Sequence, residues 1–153
     1  MCVSTSAVLD DWFSPAGLNR GGLQNVVKLA FNPNKAQRDD LYTNRINPIV
    51  SFPGSGPVLF GDKTGLASPS AFDRINVRRL FLNVEKRARA LAESVIFEQN
   101  DAVTRSNFNS SIASYLSEIQ ARRGVTDYLV VCDGTNNTPE VIDRNEFVAE
   151  LYL

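Results

Sequence analysis

The sequence predicts an α+β domain in which a small, mostly antiparallel or mixed sheet packs against two long helices. Three observations carry that expectation. Residues Ala71–Asn100 contain no glycine or proline, and Val77, Leu80, Phe81, Val84, Ala88, Leu91, Ala92 and Val95 recur at three- and four-residue steps, one face of a helix. A second helical pattern, with Phe108, Ile112, Tyr115, Leu116 and Ile119 on its apolar face, runs from Thr104 to Arg123. The other apolar runs are short, β-branched or alternating, and bounded by Gly, Pro and Asn. With 153 residues, 43% of them hydrophobic and 22% charged, the chain reads as a single domain over residues 1–153. Its parts are an irregular segment over residues 1–33 and an α/β core over 34–153.

Taken in order, Val8, Leu9, Trp12 and Phe13 form an apolar knot, read as a local core cluster, ahead of a turn at Ser14–Gly17. Gly21-Gly22 precedes a short strand expected at Asn25–Phe31. Asn32-Pro33-Asn34 caps a helix over Lys35–Asn44. Ile46–Phe52 and Pro57–Phe60 flank Pro53-Gly54-Ser55-Gly56 and read as a hairpin, with Pro48 and Pro57 confined to edges or strand starts. Gly61–Pro69 leads into the long helix, which would measure about 45 Å if it ran the full thirty residues. Gly124 follows the second helix where a left-handed cap belongs. Val125–Cys132 is a strand continuous enough for a central position. After the Asp133–Asn137 loop, Pro139-Glu140 opens a short turn or helix. Phe147–Leu153 then alternates as a final strand. A chain that stops on Leu-Tyr-Leu at full hydrophobicity reads as a fragment of a longer protein.

The bulk numbers exclude several function classes. Net charge is -1, with no global attraction to nucleic acid or anionic membranes, and no apolar run approaches the ~20 residues needed to span a bilayer. There is no histidine, which removes Ser-His-Asp and Cys-His mechanisms. Cys2 and Cys132 lie far apart and form no metal or redox motif; they read as reduced thiols, Cys132 buried and Cys2 reactive. Gly56–Thr64 superficially resembles a phosphate loop, but Asp62 intrudes between Gly61 and Lys63 and places an anion where phosphate would sit. Asp133-Gly134-Thr135-Asn136-Asn137 is oxygen-rich, yet lacks the acidic spacing of a calcium loop and reads as an Asx turn. No catalytic residue, cofactor site or metal site is assigned.

One asymmetry remains. Arg74, Arg78, Arg79, Lys86, Arg87 and Arg89 are six of the 16 basic residues, and between Asp73 and Arg89 only Asp73 and Glu85 oppose them. That stretch carries +4, leaving -5 for the rest. On charge alone a solvated helix face is favoured; docking on an acidic protein surface is the functional reading. Nucleic acid ranks below both, because no aromatic residues are interleaved for stacking.

Four segments carry a resemblance. SPAG at Ser14–Gly17, LAFNPNKAQRDDLYTNRINPIVSFPGSGPVLFGDKT at Leu29–Thr64, FDRINVRRLFLNVEK at Phe72–Lys86 and ARRGVTDYLVVCDGTNNTPEVIDRNEF at Ala121–Phe147 cover most of the chain. In that order they resemble the C-terminal, conserved-core part of the tail sheath family of bacteriophages with contractile tails. The resemblance implies a structural protein and no enzyme. Its subunits stack as rings around a tail tube from the baseplate, and contraction drives the tube through the host envelope. The implied partners are other sheath subunits, the tail tube and the baseplate, with neither nucleic acid nor membrane. The implied location is the virion, and the host cytoplasm during assembly. The family continues beyond the equivalent of Leu153, so a truncated domain is expected, its sheet incomplete for want of the terminal arms. The strand edge at Phe147, Ala149, Leu151 and Leu153 would then await a neighbour's arm, and the six basic residues would face the tube or a neighbouring subunit. The rival reading is a small carboxylate- or lysine-dependent enzyme binding phosphate or nucleotide through Gly54–Thr64.

Overall fold

The computed structural model describes residues Met1–Leu153 and has the α+β composition expected. The chain forms two compact units, Met1–Asn83 and Val84–Leu153, whose boundary falls inside the long helix. The strands form two separate antiparallel pairs, one in each unit.

In the first unit, helix α1 (Cys2–Val8) is followed by an irregular stretch to Asn34, then α2 (Lys35–Thr43), β1 (Ile49–Phe52), β2 (Gly56–Leu59) and a 3-10 turn at Ala71–Asp73. α2 begins where the sequence places it, and the reason is chemical. The Asn34 side chain accepts the Gln37 N–H at 3.0 Å, while Gln37 Oε1 accepts the Asn34 N–H at 2.9 Å, a closed capping box. The hairpin pairs Ile49 with Leu59 and Val50 with Val58. Val50 and Val58, directly opposite one another, are each 1% exposed and form its buried face. Gly54 and Gly56 both take positive φ in the turn.

The second unit holds the last part of α3 (Ile75–Glu93), then α4 (Ala102–Ala121), β3 (Leu129–Val131), α5 (Pro139–Asp143) and β4 (Glu150–Tyr152). α4 is capped by the Asp101 carboxylate on the Thr104 N–H and buries Phe108, Ile112, Leu116 and Ile119, as its periodicity requires. Pair β3–β4 packs on α4, and Phe147 meets Phe108 edge-on at 5.4 Å between centroids.

Several expectations are corrected. The long helix runs over 19 residues rather than thirty. At its start Arg74 is extended and bridges Lys63, so Ala71–Asp73 forms a separate turn. At its end the Ser94 and Val95 N–H groups bond three residues back, tightening and closing the helix. Asn25–Phe31 is no strand. Asn25 takes φ +60, Val27 is fully exposed, and no residue of this stretch pairs; the bridge nearest to it joins Gly22 to Val58. Nor is the apolar knot a core cluster throughout: α1 turns Thr5 inward and leaves Val8 82% exposed. Val125–Cys132 contributes only three strand residues, with one neighbour and Leu129 57% exposed, so it is not central. Phe147–Leu153 likewise narrows to Glu150–Tyr152.

The cap after α4 is shifted by one residue. Arg123, at φ +63, holds the left-handed position, and Gly124 next to it donates to the Ile119 carbonyl at 2.8 Å. With the Arg123 N–H on the Gln120 carbonyl, this is a Schellman motif. The same bond pattern closes α2 through Arg45 and Ile46, and α5 through Asn145 and Glu146. None of the three left-handed positions is glycine.

Candidate functional site

The six basic residues singled out by charge do not share one fate. Arg74 lies outside the helix proper and is held by Asp62 at 3.1 Å and Asp73 at 3.5 Å. Arg79 is 19% exposed and donates to Asp11 at 2.6 Å and to the Ser6 hydroxyl; its other terminal nitrogen is buried without a partner. The Arg87 guanidinium lies 5.8 Å from the Tyr115 ring centre. Arg89 forms an exposed pair with Glu85 one turn back, at 2.8 Å. Arg78 and Lys86 are exposed and make no ion pair. Of the six, then, Arg78 and Lys86 point outward with their charge unspent, Arg89 is partly neutralised, and Arg79 serves the fold.

The strand edges are where the geometry says most. In the β1–β2 hairpin the Phe60 N–H donates to the Pro48 carbonyl, so the bonded pairs are alternate ones and Ser51 turns its N–H and C=O away from β2. Those groups meet a side chain instead. Asn32 Oδ1 accepts the Ser51 N–H at 2.9 Å and Asn32 Nδ2 donates to the Ser51 carbonyl at 3.1 Å. On the other side, β2 is covered by Gly17–Leu23: the Leu59 N–H donates to the Gly21 carbonyl and the Leu23 N–H to the Pro57 carbonyl. Gly21 has to be glycine, because a Cβ there would lie 2.6 Å from the Leu59 oxygen.

Two further asparagines pair in the same two-bond manner. Asn47 Oδ1 accepts the Lys63 N–H at 2.8 Å and its Nδ2 donates to the Lys63 carbonyl at 2.9 Å. Gly61, between them, leaves no room for a Cβ against Asn47. Asn137, 2% exposed, accepts the Val148 N–H at 2.9 Å and donates to the Val148 carbonyl at 2.8 Å. The β3–β4 register places Val148 opposite position 133, so this amide adds one rung to the ladder beyond the end of β3. Asn100 braces it, donating to Asn137 Oδ1 and the Glu146 carbonyl, and Arg105 holds Asn100 in turn. By the same alternation, Ala149 and Leu151 turn their backbone groups toward the outer edge of β4, where the sheet has no further strand. These asparagines escape a sequence reading, since a side-chain amide bonded 11 to 19 residues away leaves no periodic trace.

The phosphate-loop reading finds no support. Gly56–Leu59 is a hairpin strand, and the Lys63 ammonium is spent on Asp73 at 2.5 Å beside the Tyr42 ring. The Lys63 bond in turn holds the Asp73 carboxyl below its usual range. A cavity of about 450 Å³ does border Phe60 and Asp62, but its two cations, Lys35 and Arg38, are matched by two carboxylates, Asp39 and Asp62. Its Arg38 is drawn over the Phe52 and Phe60 rings. In the Asp133–Asn137 loop the Asp133 Oδ1 accepts both the Thr135 hydroxyl and the Thr135 N–H, which depress the pKa of the carboxyl and form an Asx turn. Cys132 is buried, and burial pushes its thiol up; Cys2 is half-exposed.

Comparison with known proteins bears on family and fold. Residues 67–153 match the family model for the phage tail sheath C-terminal domain. Over all 153 residues the chain is 51% identical to the tail sheath protein of Enterobacteria phage T4 and 52% identical to that of Vibrio phage KVP40. It spans 23% of the length of each. Among solved structures, the fold is similar to the sheath complex of an extracellular contractile injection system (PVC) in its contracted state. There the TM-score is 0.91 at 24% identity, over 99% of this chain and 44% of that one. The contracted helical sheath of the anti-feeding prophage gives 0.86 at 23% identity, over 98% of this chain and 43% of that one.

Proposed function

This chain belongs to the phage tail sheath family, and from that premise we propose that it acts as the tube-facing portion of a contractile sheath subunit, a mechanical part with no catalytic role. The observation that carries the reading is the identity of about half its residues, over its whole length, with two tail sheath proteins. Subunits polymerise as rings around a tail tube from the baseplate, in the virion after assembly in the host cytoplasm. Contraction drives the tube through the host envelope. The energy comes from contacts that differ between an extended and a contracted assembly, so no nucleotide is needed.

Two surfaces serve that assembly. The outer edge of β4, with Ala149 and Leu151 turned outward between Phe147 and Leu153, receives a strand from a neighbouring subunit by β-augmentation. Arg78 and Lys86 on α3, with Arg89 beside them, supply the positive charge that meets the tube or the next subunit. Arg74, Arg79 and Arg87 contribute less, because each already has an internal partner. Electron microscopy of the full-length protein, mixed with tail tubes or alone, tests the reading. Ordered sheath on tubes is expected, and protein that stays dispersed in both samples would overturn it.

A further inference from the structure

Two strand pairs in one chain pose a problem of choice. A segment seeking a sheet edge could add to either pair, and β1 would be attractive: its sequence is Ile-Val-Ser-Phe, and Ile49 is 42% exposed. Between residues 49 and 52, only Ile49 and Ser51 direct backbone groups outward. Asn32 occupies both groups of Ser51. We propose that Asn32 is a specificity-determining plug: it closes the β1 edge and so directs an incoming strand to the β3–β4 pair. This rests on the strand-adding reading given above.

The plug is held by the two residues that follow it. Pro33, the next residue, is buried, and its carbonyl accepts a hydrogen bond from Arg38 at 3.2 Å. Asn34 is locked in the capping box that starts α2. Proline also has no N–H to offer, so the segment lying along β1 cannot itself extend the ladder. A competing strand can therefore reach only the outward groups of Ile49 and must break both bonds of the Asn32 amide before its ladder extends to Ser51. On β4, Ala149 and Leu151 meet no such amide. The single contact that decides between the two sheets is the pairing of the Asn32 amide with the Ser51 backbone.

Hydrogen exchange and cross-linking on the 153-residue chain test this without tubes, so the result is separable from the sheath reading. In Asn32→Ala, Ser51 N–H exchange is expected to rise at least tenfold. With Cys2 replaced by serine, a thiol introduced by Ile49→Cys should then form chain-to-chain disulfides that are absent when Asn32 is present. Adding Ser51→Pro, which removes the outward N–H and leaves the bonds to β2 intact, should abolish them. If Asn32→Ala does not fold, Asn32→Gln, whose amide is displaced by one methylene, reads the same outcomes. Unchanged Ser51 exchange, or faster exchange with no cross-link, would overturn the proposal. A plug confirmed here while full-length protein fails to assemble would remove only the sheath reading.

Discussion

Arg79 Nη2 lies 2.6 Å from Asp11 Oδ1, across 68 residues of sequence, and ties the segment after α1 to the long helix. Asn83, one turn further along, donates to the other carboxylate oxygen at 2.9 Å. A cation that charge counting assigns to an outer face is thereby an internal anchor. Arg79→Ala should cost about 1–2 kcal/mol, a charged hydrogen bond reduced by partial solvent screening. It should also speed amide exchange over residues 1–11. Arg78→Ala should change stability by less than ~0.5 kcal/mol. Denaturant unfolding of the two variants makes the comparison, and equal effects would remove Arg79 from the fold.

The same contact fixes a pH dependence. Hydrogen bonds from Ser6 and Asn83, and then the charge of Arg79, hold the Asp11 carboxyl below its ordinary value of 3.8. A carboxyl depressed in the folded state stabilises the fold above its unfolded pKa, and that contribution is lost as pH falls through the folded value. Stability should therefore be level above about pH 5 and decline below about pH 4. The decline should be shallower in Asp11→Asn. Acid titrations of both proteins followed by circular dichroism check the sign.

Asn137 is the costliest amide to remove. Asn137→Ala strands the Val148 N–H and carbonyl in a site where the side chain is 2% exposed. A loss of about 2–3 kcal/mol is expected, since buried groups left unpaired forfeit their solvation. Asn137→Asp, which keeps the acceptor and loses the donor, should not restore the loss. Equilibrium unfolding in urea measures both.

Replacing Arg123 by glycine should stabilise the chain. Its φ of +63 disfavours any residue with a Cβ by about 1–2 kcal/mol, and glycine's greater unfolded-state freedom returns part of that. A net gain of about 0.5–1 kcal/mol is expected, read as a rise in Tm. A fall in Tm would show that the Arg123 side chain contributes to the cap.

On the outward face, Arg78→Glu with Lys86→Glu should leave folding within ~1 kcal/mol and weaken assembly of the full-length protein on tubes. Raised salt should weaken wild-type assembly in the same direction. Tube decoration at wild-type efficiency would make both residues ordinary surface.

Much of the scaffold is legible from sequence because it depends on near neighbours. Asn34 and Gln37 announce the start of α2, Asp101 and the Phe108–Ile119 spacing announce α4, and Pro53–Gly56 announces the hairpin. The misses are contacts set by distant residues. Nothing near Arg79 signals Asp11, and nothing near β1 signals Asn32. Gly124 draws attention to the correct turn, but the left-handed strain sits on Arg123 because the Schellman bonds count from the helix end. The strand edge of residues 147–153 is legible as alternation; that Ala149 and Leu151 face outward follows only once the Asn137–Val148 pairing is known.

The asparagine pairings bear on how long such a protein keeps its chemistry. Asparagine is lost over time when the backbone nitrogen of the following residue attacks the side-chain amide and closes a succinimide ring. Asn32 is followed by Pro33 and Asn47 by Pro48, and a proline nitrogen carries no hydrogen to give up in that attack. Asn137 is followed by Thr138, whose β-branch hinders the ring, and its amide is pinned by its bonds to Val148. The amides of Asn32, Asn47 and Asn137 are thus slow to deamidate, and the backbone pairings they make resist chemical ageing.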